Sequence, residues 1–402
     1  MYNDKQKRTL YTLVLSTWFL GNMGIHLISP TLPQISQHFG SSVSLSQMVI
    51  SLFLLGKSLG MLLWGPLSER YGRRPFMLVG LSLYVFASSC SVMTNDPYVL
   101  LLLRFLQGIG VSATLLMGRS IINDRYKDKQ AVKAFAFLFT IAGIIIAFLP
   151  VIGGYLASLG HWQYPYLMMA AYASVILIIM YLKLDETHTK KRQKINIKSI
   201  FSDYQRVFVH PLFLGYLFCS AFMVAGESAF NTSASFILIK QLGFSTKAYG
   251  WIKTALGCAH LLGCYCCAKV IKRYDIHQLV GIGVSTFALS SLLMIFLAIG
   301  QLAPLFALVL PMLFYYFGTG FIVATTSAAI VKPFPDNIAT ALAFSLFLQF
   351  IISFLFSFIT SILGVEHTLP LAELIFIVSL LAFGTWALVI YPREKRASSV
   401  SQ

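Results

Sequence analysis

Runs of about twenty apolar residues, separated by short polar breaks, follow one another along the whole chain, and an α-helix needs a run of that length to cross a bilayer. Twelve spans are predicted. The first six run from Leu10 to Ser29, Leu45 to Trp64, Pro75 to Met93, Tyr98 to Ile121, Val132 to Leu156 and Tyr164 to Leu182. The second six run from Leu212 to Ile239, Tyr249 to Val270, Leu279 to Ile299, Pro304 to Ile330, Ile338 to Leu363 and Leu369 to Ile390. The expected fold class is an all-α membrane protein of twelve transmembrane helices in two six-helix bundles. The longest polar interval, Lys183 to His210, carries Lys190, Lys191, Arg192, Lys194 and Lys198 and divides the chain six and six. It gives expected domains of residues 1–184, a cytoplasmic linker of 185–210, and 211–402. The tetrapeptide Glu69-Arg70-Tyr71-Gly72 after span two is echoed by Lys272-Arg273-Tyr274-Asp275 after span eight, as duplicated six-span halves would give.

Composition agrees. Of 402 residues, 57% are hydrophobic and 11% charged, against roughly a quarter charged in soluble domains. Thirty Lys and Arg against fourteen Asp and Glu give a net charge of +16. In a soluble protein that excess would point to nucleic acid, but the positions of the charges exclude it as a partner. With the amino terminus inside, nearly every basic residue falls in a cytoplasmic loop. The opposite loops hold only Lys240 and Lys247, Lys57, Arg104 and Lys253 lie well within spans, and Arg119, Lys133 and Lys269, at the inner ends of theirs, count with the adjoining cytoplasmic loops. Both termini are therefore expected in the cytoplasm, with the basic loops attracted to anionic lipid. The first span follows Lys5, Lys7 and Arg8 without a small-residue cleavage site, so it reads as a span and not a signal peptide. Cys90, Cys219, Cys258, Cys264, Cys266 and Cys267 all lie in apolar runs, without the spacing of a structural zinc site, and read as packing residues. No metal or cofactor is expected, since Walker A and dinucleotide glycine motifs are missing.

The loop after span two reads Gly65-Pro66-Leu67-Ser68-Glu69-Arg70-Tyr71-Gly72-Arg73-Arg74-Pro75. Gly65 and Pro66 are expected to end the helix, Gly72 to permit a tight turn, and Glu69, Arg70, Arg73 and Arg74 to form a charge cluster at the helix ends. This loop resembles the signature loop of the major facilitator superfamily, in the form of its drug/proton antiporter branch near the bicyclomycin and chloramphenicol resistance transporters. The resemblance implies that the cluster braces the two halves in one state. Arg104-Phe105-Leu106-Gln107-Gly108 resembles the family's R-x-x-Q-G motif, which implies a buried Arg104 that takes part in proton handling. The run from Ala147 to Gly154 resembles the antiporter motif, with Pro150, Gly153 and Gly154 as a pivot where helices pack closely; the glycine usual before the proline is here Leu149.

Ionisable groups in lipid are costly and mark function. His26, Lys57, Arg104, Glu227 and Lys253 qualify, whereas Glu373 lies near the start of the last span and can reach the headgroups. Glu227, the one carboxylate well inside a span, is a candidate to bind a proton or a cationic substrate, or to form a fixed pair with Lys57, Arg104 or Lys253. His26 stands where the family's D-x-x-x-P-x-L-P motif has its acidic residue, and it too can carry a proton. Proton-coupling candidates are thus Glu227, Arg104 and His26, and cavity candidates are Lys57, Asn231, Ser235, Tyr315, Tyr316 and Gln349. A cavity with Lys57, Arg104 and a protonated His26 against Glu227 is positive on balance, which suits an anionic or zwitterionic metabolite of the siderophore type as well as an amphipathic drug.

The resemblance implies a monomeric secondary transporter in a bacterial inner membrane, exporting a small molecule in exchange for protons by alternating access. A proton-coupled importer is the competing reading. A channel would show a pore loop, a sensor an added soluble domain, and an enzyme an arrangement such as H-E-x-x-H or G-x-S-x-G.

Overall fold

The computed structural model describes residues 4–125, 128–186, 205, 208–300, 303–334 and 338–400. The linker cations Lys190, Lys191, Arg192, Lys194 and Lys198 lie outside the described residues.

Each predicted span is a helix. In the first half these are α1 (Asp4–His26), α3 (Val43–Tyr71), α4 (Arg73–Met93), α5 (Pro97–Arg125), α6 (Asp128–Ala157) and α7 (Tyr164–Lys183). In the second they are α8 (Pro211–Ser235), α9 (Thr246–Val270), α10 (Ile276–Ile299), α11 (Pro304–Val331), α12 (Ile338–Ile362) and α13 (Thr368–Thr385). Two short helices, α2 (Leu32–Phe39) and α14 (Tyr391–Val400), and π-helical segments at Phe236–Gln241 and Trp386–Ile390 are also present. Ten of the long helices are apolar enough over sufficient length to cross a membrane, so the chain is multi-pass. The exceptions are α6, whose described apolar stretch is Ile141–Ala157, and α9, diluted by Lys247, Lys253, His260 and Lys269. Leu102, Ile178, Phe296 and Leu388 stand more than half exposed on the outer surface, as side chains facing acyl chains do.

Two boundaries depart from expectation. α1 breaks after His26 into a turn at Ser29–Thr31 and resumes as α2, because Pro30 and Pro33 each fit only the first turn of a new helical segment. Pro66 does not end α3, which runs on to Tyr71. The ring removes one backbone bond, and the helix stops only at Gly72, whose φ of +107° suits a residue without Cβ.

The neighbour pattern is the same in both halves. α3 packs on α5 as α9 packs on α11, α4 on α5 and α7 as α10 on α11 and α13, and α1 on α7 as α8 on α13. Buried apolar side chains form two main clusters, one from the first six long helices joined by Phe236 and Leu346, the other from the last six. The halves meet along α3 with α12 and α6 with α9, again a symmetric pair of contacts.

The cross-half hydrogen bonds concentrate toward the face opposite the α3–α4 loop. Gln47 Nε2 donates to Val365 O at 2.7 Å, and the Ser51 hydroxyl lies 2.7 Å from that of Ser357 and 2.9 Å from that of Ser361. Ser29 Oγ donates to Asn231 O at 2.8 Å and contacts the Tyr249 hydroxyl. Where α6 crosses α9 the backbones nearly touch: a Cβ on Gly250 would lie 2.6 Å from Pro150 O, and one on Gly154 would lie 3.3 Å from Gly250 Cα. A Cβ on Gly153 would come within 2.7 Å of His26 O, so the break in α1 rests directly on α6. Small residues let helices in lipid approach this closely. The result is a seal across one face of the molecule.

Candidate functional site

A cavity of about 390 Å³ lies between the halves and extends from the seal toward the face of the α3–α4 loop. Its wall comes from α1, α3, α5 and α6 of the first half and from α8, α9, α11 and α12 of the second. The outer helices α4, α7, α10 and α13 contribute none of it.

Helical spacing explains which side chains reach the wall. On α8 the sequence Met223, Glu227, Asn231 advances by four residues and stays on one face, as does Val111, Leu115, Arg119 on α5. Lys253, Gly257 and His260 follow the same rule on α9, and Leu346 with Gln349 and Phe350 on α12. Lys57 and His260 hold corresponding places in the two halves, each three residues before a glycine at the α3–α5 or α9–α11 seam, Gly60 or Gly263.

Most of the predicted cavity residues are here: His26, Lys57, Glu227, Asn231, Lys253, Tyr316 and Gln349 all line the wall, and Pro150 of the pivot motif does too. Lys253 Nζ donates to Asn231 Oδ1 and, at 3.1 Å, to the Tyr316 hydroxyl, and it sits 4.6 Å from the Phe230 ring centroid. Glu227 lies within electrostatic reach of Lys253 without direct ion pairing. Lys57 Nζ lies 4.1 Å over the Phe350 ring. Gln349 Nε2 donates to Ser220 Oγ at 3.1 Å. His26 presents a buried Nδ1 that has no hydrogen-bond partner among the described residues.

Three predicted residues lie elsewhere. Arg104 is buried behind the wall, where its guanidinium donates to Val49 O at 3.0 Å, to Gly24 O and to Gln107 Oε1. With Gln107 Nε2 donating to Ser88 Oγ, it ties α5 to α1, α3 and α4, so Arg104 is an anchor within the first half and not a cavity group. Tyr315, about 100° around α11 from Tyr316, turns into the second half, donates to Met223 O at 3.0 Å and stacks on Phe287. Ser235, one turn beyond Asn231, is buried at the seal and outside the wall. Two further ionisable side chains line the wall, Arg119 and His260. The charge of Arg119 points to a loop, but its spacing from Val111 and Leu115 puts it on the wall, and the spacing of His260 from Lys253 does the same.

The signature loop sits at the open end. The Glu186 carboxylate, from just beyond α7, accepts the backbone N–H groups of Arg73 at 2.9 Å and Arg74 at 3.2 Å, capping the start of α4. Arg73 also donates to Ser68 Oγ at 2.6 Å and pairs with Asp124 at 3.4 Å, and Arg74 donates to Tyr181 O at 2.8 Å. Glu69 and Arg70 are exposed, and Gly65 packs near Leu116. In this state every bond described for the loop stays within the first half, because the halves are parted at this end. A Cβ on Gly72 would land on the Glu186 carboxylate and force a side chain to φ +107°. Gly72→Ala is therefore expected to destabilise the protein by about 1–3 kcal/mol, read as a lower unfolding temperature that Gly72→Ala/Glu186→Ala recovers only in part.

Among the described residues no cluster of three or more His, Cys, Asp or Glu could hold a metal. The wall instead offers three cations, Lys57, Arg119 and Lys253, two imidazoles and one carboxylate around an apolar body. Such a chamber can bind an organic molecule and change its charge by taking up or releasing protons.

The sequence pattern of the Major Facilitator Superfamily matches residues 14–357. Relatives include the MFS-type transporter YdgK of Bacillus subtilis, 24% identical over 94% of each chain. The multidrug transporter MdfA of Edwardsiella ictaluri is 28% identical over 69% of this chain and 68% of its own. The chloramphenicol resistance protein CraA of Acinetobacter baumannii is 25% identical over 74% and 72%. Among solved structures a D-xylose-proton symporter superposes with a TM-score of 0.71 at 16% identity, over 93% of this chain and 97% of that one. The family pattern, the twelve-helix fold and the shared cavity agree: the chain is a transporter of the major facilitator superfamily.

Proposed function

We propose that this protein exports a small organic molecule across a bacterial cytoplasmic membrane in exchange for protons, as a monomer with both termini in the cytoplasm. Residues 1–184 and 211–402 form the moving halves and 185–210 the linker. One observation carries the reading: a single chamber, walled equally by both halves and sealed at one face, holds Glu227 beside Lys253. Alternating access follows when the α3–α12 and α6–α9 seams part and the opposite end closes. Pro150, Gly153 and Gly154 serve as the pivot, and the Gly65–Arg74 loop braces the halves in that second state. Protonation of Glu227, with His26 as a second carrier, changes the chamber's charge and links proton binding to substrate binding. Two relatives carry multidrug or chloramphenicol resistance names, which supports export over import.

The test is flux in proteoliposomes. Vesicles under an imposed pH gradient are expected to accumulate a probe such as chloramphenicol against its concentration gradient, and to lose the accumulation when a protonophore collapses the gradient. Probe flux indifferent to the protonophore would overturn proton coupling, and an uninterrupted ionic current in planar bilayers would overturn the carrier itself.

A further inference from the structure

The chamber's charges are unequally partnered. Lys253 has Asn231, Tyr316 and the field of Glu227. Lys57 has none of these. Lys57 is 6% exposed and its ammonium group faces the chamber over the Phe350 ring, where no hydrogen-bond acceptor or carboxylate among the described residues reaches it. Glu227 acts on Lys253, in the second half's wall. His26, within electrostatic reach of both lysines, adds an unpaired buried nitrogen to the same chamber. Nearby Leu54 and Leu346 make the surroundings apolar. A buried cation without a counter-ion is costly, and the aromatic face below it recovers only part of that cost.

Resting on the transport reading above, we infer that the substrate is an amphipathic organic anion whose carboxylate, sulfonate or phosphate group bonds to Lys57 while its apolar body lies against Leu54, Leu346 and Phe350. An acidic head supplies the acceptor that Lys57 lacks, and its charge offsets the chamber's positive excess. A lipophilic cation would have to seek Glu227 with Lys253 already beside it.

The test uses two permanently charged probes with one ring system, 1-naphthalenesulfonate and (1-naphthylmethyl)trimethylammonium, in equilibrium dialysis against the purified full-length protein. The native protein is expected to hold the sulfonate at least tenfold more tightly than the ammonium. Lys57→Gln should lose about tenfold in sulfonate affinity, the loss of one hydrogen bond to a charged group, and Lys57→Glu should reverse the preference. Lys57→Arg, which keeps the charge, should retain most of the affinity and shows that the site is intact. Preference for the ammonium, equal binding of both probes, absence of binding, or a sulfonate affinity unchanged in Lys57→Gln would each overturn the inference. Failure here with gradient-driven chloramphenicol accumulation intact removes the anion assignment alone. Sulfonate flux indifferent to the pH gradient, with the sulfonate preference intact, removes the proton-coupled reading and leaves the anion site standing.

Discussion

Glu227→Gln is expected to abolish the response of transport to a pH gradient while leaving exchange of substrate for substrate intact. Glu227 is the sole carboxylate among the described wall residues. Gln keeps its size and its place beside Lys253 but cannot take up or release a proton. Lys253 keeps Asn231 and Tyr316 as acceptors, so the variant should fold. The α3–α12 and α6–α9 seams are untouched, and the halves should still rock. Gradient-driven accumulation should therefore fall to the level seen without a gradient, and counterflow, in which labelled substrate enters as unlabelled substrate leaves, should persist. Loss of both would place Glu227 in substrate binding or folding. Retention of both would move the proton elsewhere, with His26 next to be tested by His26→Gln. Arg104→Lys gives a contrast: its three acceptors lie within the first half, so its loss should lower the unfolding temperature and should not selectively remove the gradient response.

How much of this was legible depended on the range of the interaction involved. Span number and class followed from apolar run length, a local property that lipid enforces because unpaired backbone groups cannot remain in the hydrocarbon. The ionisable side chains Glu227, Lys57, Lys253 and His26 were legible as site candidates because placing them in a span is costly without a wet chamber. Their partners were not. That Lys253 is satisfied and Lys57 is not depends on α8 and α11 meeting α9 and on α12 meeting α3, contacts that no spacing along one helix reveals. Tyr315 and Tyr316 look equivalent in sequence, yet one helical step turns one into the second half's core and the other into the chamber. Arg119 carries two conflicting signals, a charge near a span end that suits a loop and a four-residue spacing from Leu115 that suits the chamber's face, and the second prevails. Glu186 gave no signal, because it caps α4 from more than a hundred residues away. Pro66 signalled a helix end that did not occur, since one missing backbone bond near the end of a long helix is tolerated.

Joining the sealed face covalently should stop the carrier. The hydroxyls of Ser51 on α3 and Ser357 on α12 are 2.7 Å apart, which holds their Cβ atoms close to the roughly 3.5–4.5 Å that a disulfide spans. In Ser51→Cys/Ser357→Cys, oxidation should fix the two halves at the end where the transport cycle requires them to separate. Net flux and counterflow should both fall to background, since each needs the chamber to open on that side, and a reductant should restore them. The single variants under the same oxidant control for the six native cysteines and should keep their flux. Probe binding from the open side should survive cross-linking, because the wall residues Lys57, Glu227 and Lys253 are already exposed to the chamber in this state. That combination, binding kept and flux lost, separates a carrier from a channel whose pore would pass elsewhere. Undiminished flux in a protein shown by mass spectrometry to be cross-linked would mean that α3 and α12 never part, and alternating access across this seam would be wrong.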